Sequence, residues 1–356
     1  MRVVITGATG NVGTALVRAL ATDTSIDEVV GIARRPAPPG YPLTAFSQVD
    51  VSRDDLHDVF AGADAVVHLA WEIQPSRDRD RLWRTNVLGT RRVLDAVMGA
   101  GVPRLVVASS VGVYSRGPKD RLVDESWPRS GIPSSTYSVH KAAVERLLDA
   151  VELRHDRPRV VRLRPALIFQ RASASEQRRL FAGPLVPGRL LRAGRLPVLP
   201  DVPGLRFQGV HAHDVAEAYR LALVSPAADG AYNVAAEPVL DVQLIAAARG
   251  ARAVRVPRAI ARRAFAVAYA LRLHPSEPSW LDVGLDTPLV SSERIQAELG
   301  WEPRRSALEA ISEVIDGLAE GAGGETPPLA PDAGLPGRLA ELGEGVGRRA
   351  PGTEQA

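Results

Sequence analysis

The stretch "VVITGATGNVG", residues 3–13, places glycines between a short apolar run and a segment with helical spacing. Glycine at positions 7, 10 and 13 allows a tight turn, close approach of the backbone to a pyrophosphate, and close packing of a helix on a strand. The N-terminus of that helix would face the anion. Gly7, Gly10 and Gly13 therefore predict a dinucleotide-binding loop that follows the first strand.

Beyond this loop, apolar runs alternate with helical patterns through the first 165 residues. Runs that are apolar throughout are typical of strands covered on both faces, and strands that alternate with helices form parallel sheets. The sequence thus predicts an α/β fold, a Rossmann-type doubly wound parallel sheet with a smaller, mostly helical C-terminal substrate domain. Predicted strands are Val3–Ile5, Val29–Ile32, Ala65–Leu69, Leu105–Ala108 and Val160–Leu163, and predicted helices are Val12–Leu20, Asp54–Phe60, Leu82–Met98 and Tyr137–Leu153.

The regular alternation ends after Phe169, and a strand followed by a helix capped by Asp214 returns in "GVHAHDVAEAYRLAL". A basic, apolar segment at 257–273 predicts a packed helix of the second domain. From 321 onward, Gly and Pro dominate and large apolar residues are few, which predicts disorder. The expected division is an NAD(P)-binding Rossmann domain at 1–169, to which 208–235 returns, a substrate-binding part at 170–207 and 236–320, and a disordered tail at 321–356.

The composition excludes several kinds of chemistry. The 356 residues include no cysteine, so disulfides, thiolate metal sites and cysteine nucleophiles are ruled out. His211 and His213 with Asp214 could be metal ligands. Their positions at a strand end and a helix cap explain them better, because the sequence indicates no third, distant ligand. No metal site is predicted.

Charge and hydropathy bear on the partners. A net charge of +3 is too small to indicate nucleic acid or a membrane surface. No run of about 18 apolar residues predicts a transmembrane helix, and the N-terminus lacks the pattern of a signal peptide. We expect a cytoplasmic protein with a small-molecule substrate and no nucleic-acid or membrane partner, and a homodimer remains open.

The end of the second predicted strand bears on cofactor choice. An acidic residue there usually binds the ribose hydroxyls of NAD. Here the sequence is "EVVGIARRP", with no acid near Ala33 and with Arg34 and Arg35 following. Guanidinium groups can bind a 2′-phosphate in a bidentate manner, so these residues favour NADP over NAD, unless they are merely two exposed arginines of an arginine-rich chain.

The stretch "YSVHK", residues 137–141, contains one of only two lysines in the chain. On a helix, Tyr137 and Lys141 share one face. A tyrosine that exchanges protons near pH 7 needs its pKa lowered by about three units, or roughly 4 kcal/mol. A cation at about 6 Å supplies about 2.8 kcal/mol of this at an effective dielectric constant near 20. Taken alone, this spacing is common by chance, and a surface helix pair is the better explanation of it.

Several further motifs, spread along the chain, bear on the roles of Tyr137 and Lys141. The chain resembles the extended short-chain dehydrogenase/reductase family, in its NAD(P)-dependent epimerase/dehydratase branch, over roughly residues 1–315. The resemblance rests on "TGATGNVG" at 6–13, "VDV" at 49–51, "VVHLAW" at 66–71, "NVLGT" at 86–90, "ASSVGVY" at 108–114, "YSVHK" at 137–141, "RPALIF" at 164–169, "VHAHDVAEA" at 210–218, "YNVA" at 232–235 and "ELGWEP" at 298–303.

The resemblance implies roles for individual residues. Tyr137 would be the catalytic acid/base, and Lys141 would lower its pKa while binding the nicotinamide ribose. Ser110 would hydrogen-bond the reacting oxygen, with adjacent Ser109 as a competitor for that role. The expected cofactor-binding residues are Gly7, Thr9, Gly10, Asn11, Val12, Gly13, Arg34, Asp50, Val51, Leu69, Ala70, Tyr137, Lys141, Pro165 and Ile168.

One departure from the family bears on the substrate. Family members that act on sugar nucleotides commonly have an Arg-Asp-aromatic run before "VHAHD", whereas this chain has "RFQGVH", with Arg206 displaced and Gly209 in the place of the aromatic residue. The segments expected to line the cleft contain Phe265, Tyr269 and Trp280. The resemblance implies hydride transfer at a secondary alcohol or ketone carbon of a sugar nucleotide or related small molecule, whereas this departure argues against a substrate that carries a diphosphate. NADPH-dependent reduction of a hydrophobic ketone is the alternative, and a non-catalytic NAD(P)-sensing or RNA-binding protein is a further one.

Overall fold

A computed structural model describes residues 1–74, 77–185, 188–192 (backbone only at 189 and 190), 197–332, 334 and 336–338. Its main sheet is parallel and seven-stranded, with the order β3-β2-β1-β4-β5-β7-β11. The strands are β1 Arg2–Thr6, β2 Glu28–Ala33, β3 Ala45–Gln48, β4 Ala65–His68, β5 Arg104–Ala108, β6 Leu122–Val123, β7 Arg159–Pro165, β8 Leu167–Phe169, β9 Val198–Asp201, β10 Arg206–His211, β11 Gly230–Val234, β12 Ala236–Asp241, β13 Arg252–Arg255 and β14 Leu289–Val290.

Helices cover both faces of this sheet. The α-helices of the described residues, of which only some pack on this sheet, are α1 Asn11–Leu20, α2 His57–Phe60, α3 Arg79–Trp83, α4 Gly89–Gly99, α5 Thr136–Glu152, α6 Ala174–Gln177, α7 Ala212–Val224, α8 Val242–Arg249, α9 Arg258–Ala270, α10 Ser279–Asp286, α11 Glu293–Leu299 and α12 Ala307–Glu320. One core cluster packs α1 and α7 on one face of the sheet, and a second packs α4 and α5 on the other. The predicted Rossmann-type α/β fold is confirmed.

The strand order determines where a ligand can bind. β1 pairs with β2 on one side and with β4 on the other, so the winding of the chain reverses at β1. In open α/β sheets a crevice forms at such a point, outside the carboxyl ends of the strands. The glycine loop follows β1 directly, so it lies at the mouth of this crevice.

Beyond the main sheet the structure consists of small units. β8, β10 and β12 form a three-stranded sheet, while β9 pairs with β13 and β6 with β14. The helix predicted at 257–273 forms as α9, but it packs only lightly: none of its residues is fully buried, and Ala261 alone among its described residues joins a core cluster, that of Val202, Leu281 and Leu285. Instead, Arg258 and Arg262 tie it to carboxylates of α10.

The predicted helix cap at Asp214 is wrong. α7 begins after His211, whose ring nitrogen accepts a hydrogen bond from the backbone N–H of His213 at 3.2 Å. The Asp214 carboxylate lies in the first turn and accepts hydrogen bonds from the backbone N–H groups of Arg304 and Arg305, at 3.0 and 3.2 Å. This carboxylate therefore joins α7 to the segment before α12, a contact that no local pattern encodes.

Disorder was predicted from residue 321 onward, but residues 321–332 make buried contacts with the rest of the protein. Thr326 and Leu329 are buried, and the Thr326 hydroxyl donates to the carbonyl of Thr9 in the glycine loop at 2.8 Å. Asp332 forms a buried ion pair with Arg178 at 3.2 Å. Residues 321–332 therefore pack against the rest of the protein, although this segment contains few large apolar side chains. The part of the tail prediction at 339–356 lies outside the described residues.

Two properties of the described part of the chain bear on function. No helix among them combines the length and apolar character needed to cross a membrane. Within the same part of the chain, no group of three or more histidine, aspartate and glutamate side chains is arranged to hold a metal ion.

Candidate active site

The glycine loop forms a turn that excludes larger side chains. Gly7 has a φ of +74°, and its N–H donates to the carbonyl of Ile32 at 2.8 Å. A Cβ atom on Gly7 would lie 2.9 Å from the Ala70 nitrogen, and one on Gly13 would lie 2.3 Å from the Gly7 oxygen. Gly10 precedes α1 in an extended conformation, and no side chain caps the helix there. The loop thus offers backbone N–H groups at a helix N-terminus, a site that suits a pyrophosphate.

The opposite side of the crevice is tied to this loop. The backbone N–H groups of Leu69 and Ala70, which follow β4, donate to the backbone oxygen and the hydroxyl of Thr6 at 3.1 and 3.2 Å. The Asn11 side chain donates to the carbonyl of Ile168 at 3.5 Å. The Gln170 amide in turn donates to the side-chain oxygen of Asn11 at 2.6 Å. The predicted cofactor residues around positions 7–13, 69–70 and 165–168 thus meet at the carboxyl ends of the strands.

Tyr137 lies in the first turn of α5, which Ser135 caps. The Ser110 side chain lies beside this phenol and acts to lower its pKa. The ring packs between Trp71, at 5.9 Å between centroids, and Trp280, at 5.0 Å. A Cβ on Gly112 would lie 2.9 Å from the Tyr137 ring, so glycine at that position lets the loop after β5 approach the phenol.

The adjacent serines point to different partners. The Ser109 hydroxyl donates to the Glu145 carboxylate at 2.6 Å, in a buried position away from the phenol. The Ser110 hydroxyl accepts from the backbone N–H of Gly112 at 3.0 Å and contacts Tyr137. Of the two serines left open by the sequence, Ser110 is therefore the one that can share a substrate oxygen with Tyr137.

Lys141 is buried, one helical turn beyond Tyr137. Its Nζ donates to the carbonyl of Ala108 at 2.7 Å, lies 3.5 Å from the centroid of the Trp71 ring, and is 5.9 Å from that of Tyr137. Burial lowers the pKa of Lys141 to about 7, against the opposing charge of Glu145. The ammonium is therefore close to half-protonated at neutral pH.

The pKa of Tyr137 moves in the direction opposite to the one that the resemblance implies. Burial raises the pKa of Tyr137 to about 12, and the neighbouring Ser110 side chain offsets only part of this rise. Removing a phenol from water disfavours its charged form, and Lys141, itself partly neutral, does not compensate. The protein groups alone thus keep Tyr137 protonated, in the form that donates a proton.

An aromatic cavity adjoins Tyr137, lined by Trp71, Glu72, Ile73, Leu82, Asn86, Ser135, Thr136, Tyr137, His140, Glu277, Ser279 and Trp280. Of the aromatic residues expected in the cleft, the structure places Trp280 here. Phe265 packs against His274 instead, and Tyr269 contacts Arg77. The described lining residues include no arginine. The guanidinium of Arg206 donates to the carbonyl of Lys119 at 2.6 Å, in the small sheet region.

Sequence reasoning missed Trp71, Glu72 and Glu277 as parts of this cavity. Trp71 closes the quoted motif "VVHLAW", so its position beside the crevice was available as a signal. Glu277 is buried and reaches the hydroxyls of Ser279 and Thr136 at 3.2 and 3.4 Å. No local pattern marks Glu277, because the loop before α10 reaches the cavity only through the fold.

The adenosine half of a bound dinucleotide would lie on the side of the crevice formed by β2 and β3. Arg34 follows β2 and pairs with Glu72 at 3.1 Å. Although burial works against it, hydrogen bonds from Ser52 and the charges of Arg34 and Arg53 hold the pKa of Asp50 below its usual value. Val51 is buried and packs against Gly89. Burial also raises the pKa of Glu176 to about 7, opposed by the charges of Arg179 and Arg35.

Comparison with known proteins adds an independent line. The sequence model of the NAD dependent epimerase/dehydratase family matches residues 3–235. An uncharacterised protein of Mycobacterium tuberculosis is 30% identical over 318 residues, which cover 88% of this chain and 29% of that protein. This chain thus spans less than a third of the length of that relative. The dTDP-glucose 4,6-dehydratase of Streptomyces griseus is 28% identical over 334 residues, which cover 87% of this chain and 92% of the relative.

Solved structures agree with the observed architecture. A short-chain dehydrogenase/reductase superfamily protein from Agrobacterium tumefaciens, with bound NAD, superposes with a TM-score of 0.66 and 26% identity, covering 90% of this chain and 97% of that one. UDP-glucose 4-epimerase of Thermus thermophilus in complex with NAD has a TM-score of 0.65 and 23% identity, covering 89% and 99% of the two chains. The second likeness establishes the shared fold alone.

Proposed function

This chain belongs to the NAD dependent epimerase/dehydratase family, and on that premise we propose that it catalyses hydride transfer at a secondary alcohol or ketone carbon. The observation that carries the proposal is the meeting of Ser110, Tyr137 and Lys141 beside the glycine loop, at the carboxyl ends of the strands. A protein that only senses a dinucleotide has no need of this set of side chains.

The crevice fits a nicotinamide dinucleotide. Gly7 and Gly13 leave room for close backbone approach, and the N-terminus of α1 presents N–H groups without a side-chain cap. Gly7, Gly10 and Gly13 with Asn11 and Val12 would hold the pyrophosphate. Asp50 and Val51 would meet the adenine. When bound, the nicotinamide supplies the donor or acceptor of hydride.

The chain's own residues would handle the proton. Ser110 would hydrogen-bond the reacting substrate oxygen, and Tyr137 would give its phenolic proton to that oxygen in reduction or take the hydroxyl proton in oxidation. The raised pKa of Tyr137 keeps the proton on the phenol and suits the reductive direction. For oxidation, additional positive charge near the phenol must lower its pKa, and Lys141 at 5.9 Å is the side chain placed to contribute.

The substrate class that we propose first is a sugar nucleotide. Its support is the dTDP-glucose 4,6-dehydratase relative, which this chain matches over most of both lengths. With such a substrate the reaction would be an epimerisation or a dehydration, and the cofactor would be regenerated in each turnover. Arg34 and Arg35 favour NADP by their charge, whereas the relatives of known structure described above contain NAD.

A second candidate is the NADPH-dependent reduction of an uncharged, hydrophobic ketone. The specific observation in its favour is the cavity beside Tyr137, which combines the aromatic rings of Trp71, Trp280 and the phenol with polar side chains that include Glu72 and Glu277, and whose described lining lacks arginine. A diphosphate carries charges that need cationic partners, whereas aromatic rings beside hydroxyls and carboxylates suit an uncharged ligand.

One measurement distinguishes the two candidates. Purified protein is incubated with NAD(H) or NADP(H) and a panel of sugar nucleotides and aryl or alkyl ketones, while product and reduced-nicotinamide absorbance are followed together. Product without a net absorbance change identifies an epimerase or dehydratase. A fall in absorbance equal to product formed identifies a reductase. If the protein binds neither nicotinamide dinucleotide, the proposed function is wrong.

A further inference from the structure

An ion pair between Arg34 and Glu72 crosses the end of β1. Arg34 directly follows β2, and Glu72 lies in the loop after β4, so their strands flank β1 on opposite sides. The guanidinium and carboxylate are 3.1 Å apart. Gly7 turns the chain beneath them at the end of β1. Glu72, from the loop after β4, thus reaches Arg34, the residue that the sequence predicts to lie at the adenosine ribose of the cofactor.

Glu72 is held rigidly in this position. It is 6% exposed, and its carboxylate accepts hydrogen bonds from Arg81 at 3.2 and 3.3 Å and from the Thr85 hydroxyl at 3.1 Å. Its backbone is fixed by the Asn86 side chain, which accepts from the Glu72 N–H and donates to the Glu72 carbonyl, each at 2.8 Å. A buried carboxylate fixed in this way keeps its place when a ligand enters, so its charge is a permanent part of the crevice.

The local charges partly cancel. Arg34, Arg53 and Arg81 contribute three positive charges, and Glu72 and Asp50 contribute two negative ones, so one positive charge remains among these five side chains. A 2′-phosphate carries about two negative charges and needs a net positive environment, whereas a ribose diol is uncharged. The arginine after β2 therefore offers a 2′-phosphate much less than its sequence position suggests.

We propose that Glu72 is a residue that determines cofactor specificity, because it neutralises Arg34 and thereby opposes the 2′-phosphate of NADP. The inference rests on the proposed function, since it concerns the same crevice. It reverses the preference for NADP drawn from Arg34 and Arg35 alone: the wild-type protein binds NAD at least as tightly as NADP. Removing the carboxylate charge releases the guanidinium for the phosphate.

The test is equilibrium binding of NAD and NADP to the full chain, by calorimetry or by quenching of tryptophan fluorescence, in wild type, Glu72→Gln, Arg34→Ala and the double variant. Glu72→Gln should raise the ratio of NADP to NAD affinity by about tenfold, because one opposing unit charge beside the guanidinium is gone. In the Arg34→Ala background the same change should leave the ratio unaltered. Asp286→Asn, at a buried carboxylate that pairs with Arg116 and Arg258 outside the crevice, is the matched control and should also leave the ratio unaltered.

A purely structural role for Glu72 would weaken both nucleotides equally, and an unchanged ratio in Glu72→Gln would overturn the proposal. If Glu72→Gln does not fold, Glu72→Gln combined with Arg81→Met removes the guanidinium left without its carboxylate, and it must show the same rise in the ratio. Binding of neither nucleotide to the wild type would refute the proposed function itself. Binding of both with no effect of Glu72 would refute only this inference.

Discussion

Successive turns of α5 bring two polar regions side by side. Glu145 anchors the first, called here the Glu145 cluster, in which its carboxylate accepts hydrogen bonds from Ser109, Arg129, Arg162 and Arg164. Although burial raises it, the charges and hydrogen bonds of Arg164 and Arg162 hold the pKa of Glu145 at about 2. Each lone pair of the Glu145 carboxylate accepts a hydrogen bond, so this carboxylate has no lone pair left with which to accept a proton.

The aromatic cavity, one turn away, is built differently. Lys141 contacts a carbonyl oxygen and the Trp71 ring rather than a carboxylate, and Tyr137 has its pKa raised. The indole N–H of Trp71 is buried and has no hydrogen-bond partner among the described residues. Buried polar groups are normally satisfied, and exceptions point to function. The comparison indicates that the cluster stabilises the fold, whereas the cavity contains a buried polar group without a hydrogen-bond partner.

The largest expected effect comes from removing the anchor of the cluster. Glu145→Ala leaves Arg164 and Arg162 buried without their carboxylate, which should lower the free energy of unfolding by about 3–5 kcal/mol. Urea or thermal unfolding measures this loss. Asp149→Ala is the control, since Asp149 also pairs with Arg162 and Arg129 but is about one-third exposed, and it should cost about 1 kcal/mol or less. Equal losses in the two variants would show that the cluster does not stabilise the fold as described.

The cavity should respond in activity instead. Tyr137→Phe removes the phenolic proton and should lower turnover by about two or more orders of magnitude, while dinucleotide binding and stability remain. Tyr232→Phe is the control, because that hydroxyl bonds to Glu298 and to the backbone of Asp229, far from the cavity. Near-normal turnover of Tyr137→Phe would leave the non-catalytic sensor as the better explanation.

Most of the sheet could be predicted from the sequence because its inner strands contain runs of apolar residues, whereas β3, with the sequence AFSQ and no buried residue, was not predicted. Val3–Ile5 and Leu105–Ala108, for example, lie within one residue of β1 and β5. The glycine loop was equally readable, since its turn and its close contacts depend on residues within one short stretch. The family resemblance pointed to Tyr137 and Lys141, whose spacing on α5 follows from helix geometry alone.

What the sequence did not reveal depends on contacts between distant residues. Asp214 looks like a helix cap in isolation, but its carboxylate binds backbone N–H groups some 90 positions later. Thr326 lies in a segment rich in Gly and Pro, yet it bonds to Thr9. Arg34 reads as a ligand of a 2′-phosphate until Glu72 is placed beside it. Likewise, the raised pKa of Tyr137 follows from burial, which no local pattern reports.

Ser109 and Ser110 give the sharpest test, because adjacent residues belong to the two regions. Ser109→Ala removes one donor to the buried Glu145 carboxylate and should cost about 1–2 kcal/mol of stability, with turnover unchanged. Ser110→Ala should lower turnover by about tenfold or more, with stability changed little, because it removes the hydrogen bond that we propose Ser110 makes to the reacting oxygen. Unfolding curves and turnover of both variants are measured together. If the two serines gave the same pattern, the division between cluster and cavity would be wrong.

The smallest effect concerns the proton on Lys141. Its pKa is about 7 in the folded protein and near 10.5 in the unfolded chain. Between these values the unfolded chain holds a proton that the folded protein has lost, so the stability contributed at this position rises with pH. Below pH 7 both states are protonated, and the cost of burying the ammonium is fully present. The free energy of unfolding of the wild type minus that of Lys141→Met should therefore rise by about 1 kcal/mol per pH unit between pH 7.5 and 9.5. Taking this difference cancels the titration of groups shared by both proteins. A difference that stays flat across this range would mean that Lys141 keeps its proton in the folded protein, and the lowered pKa would then be wrong.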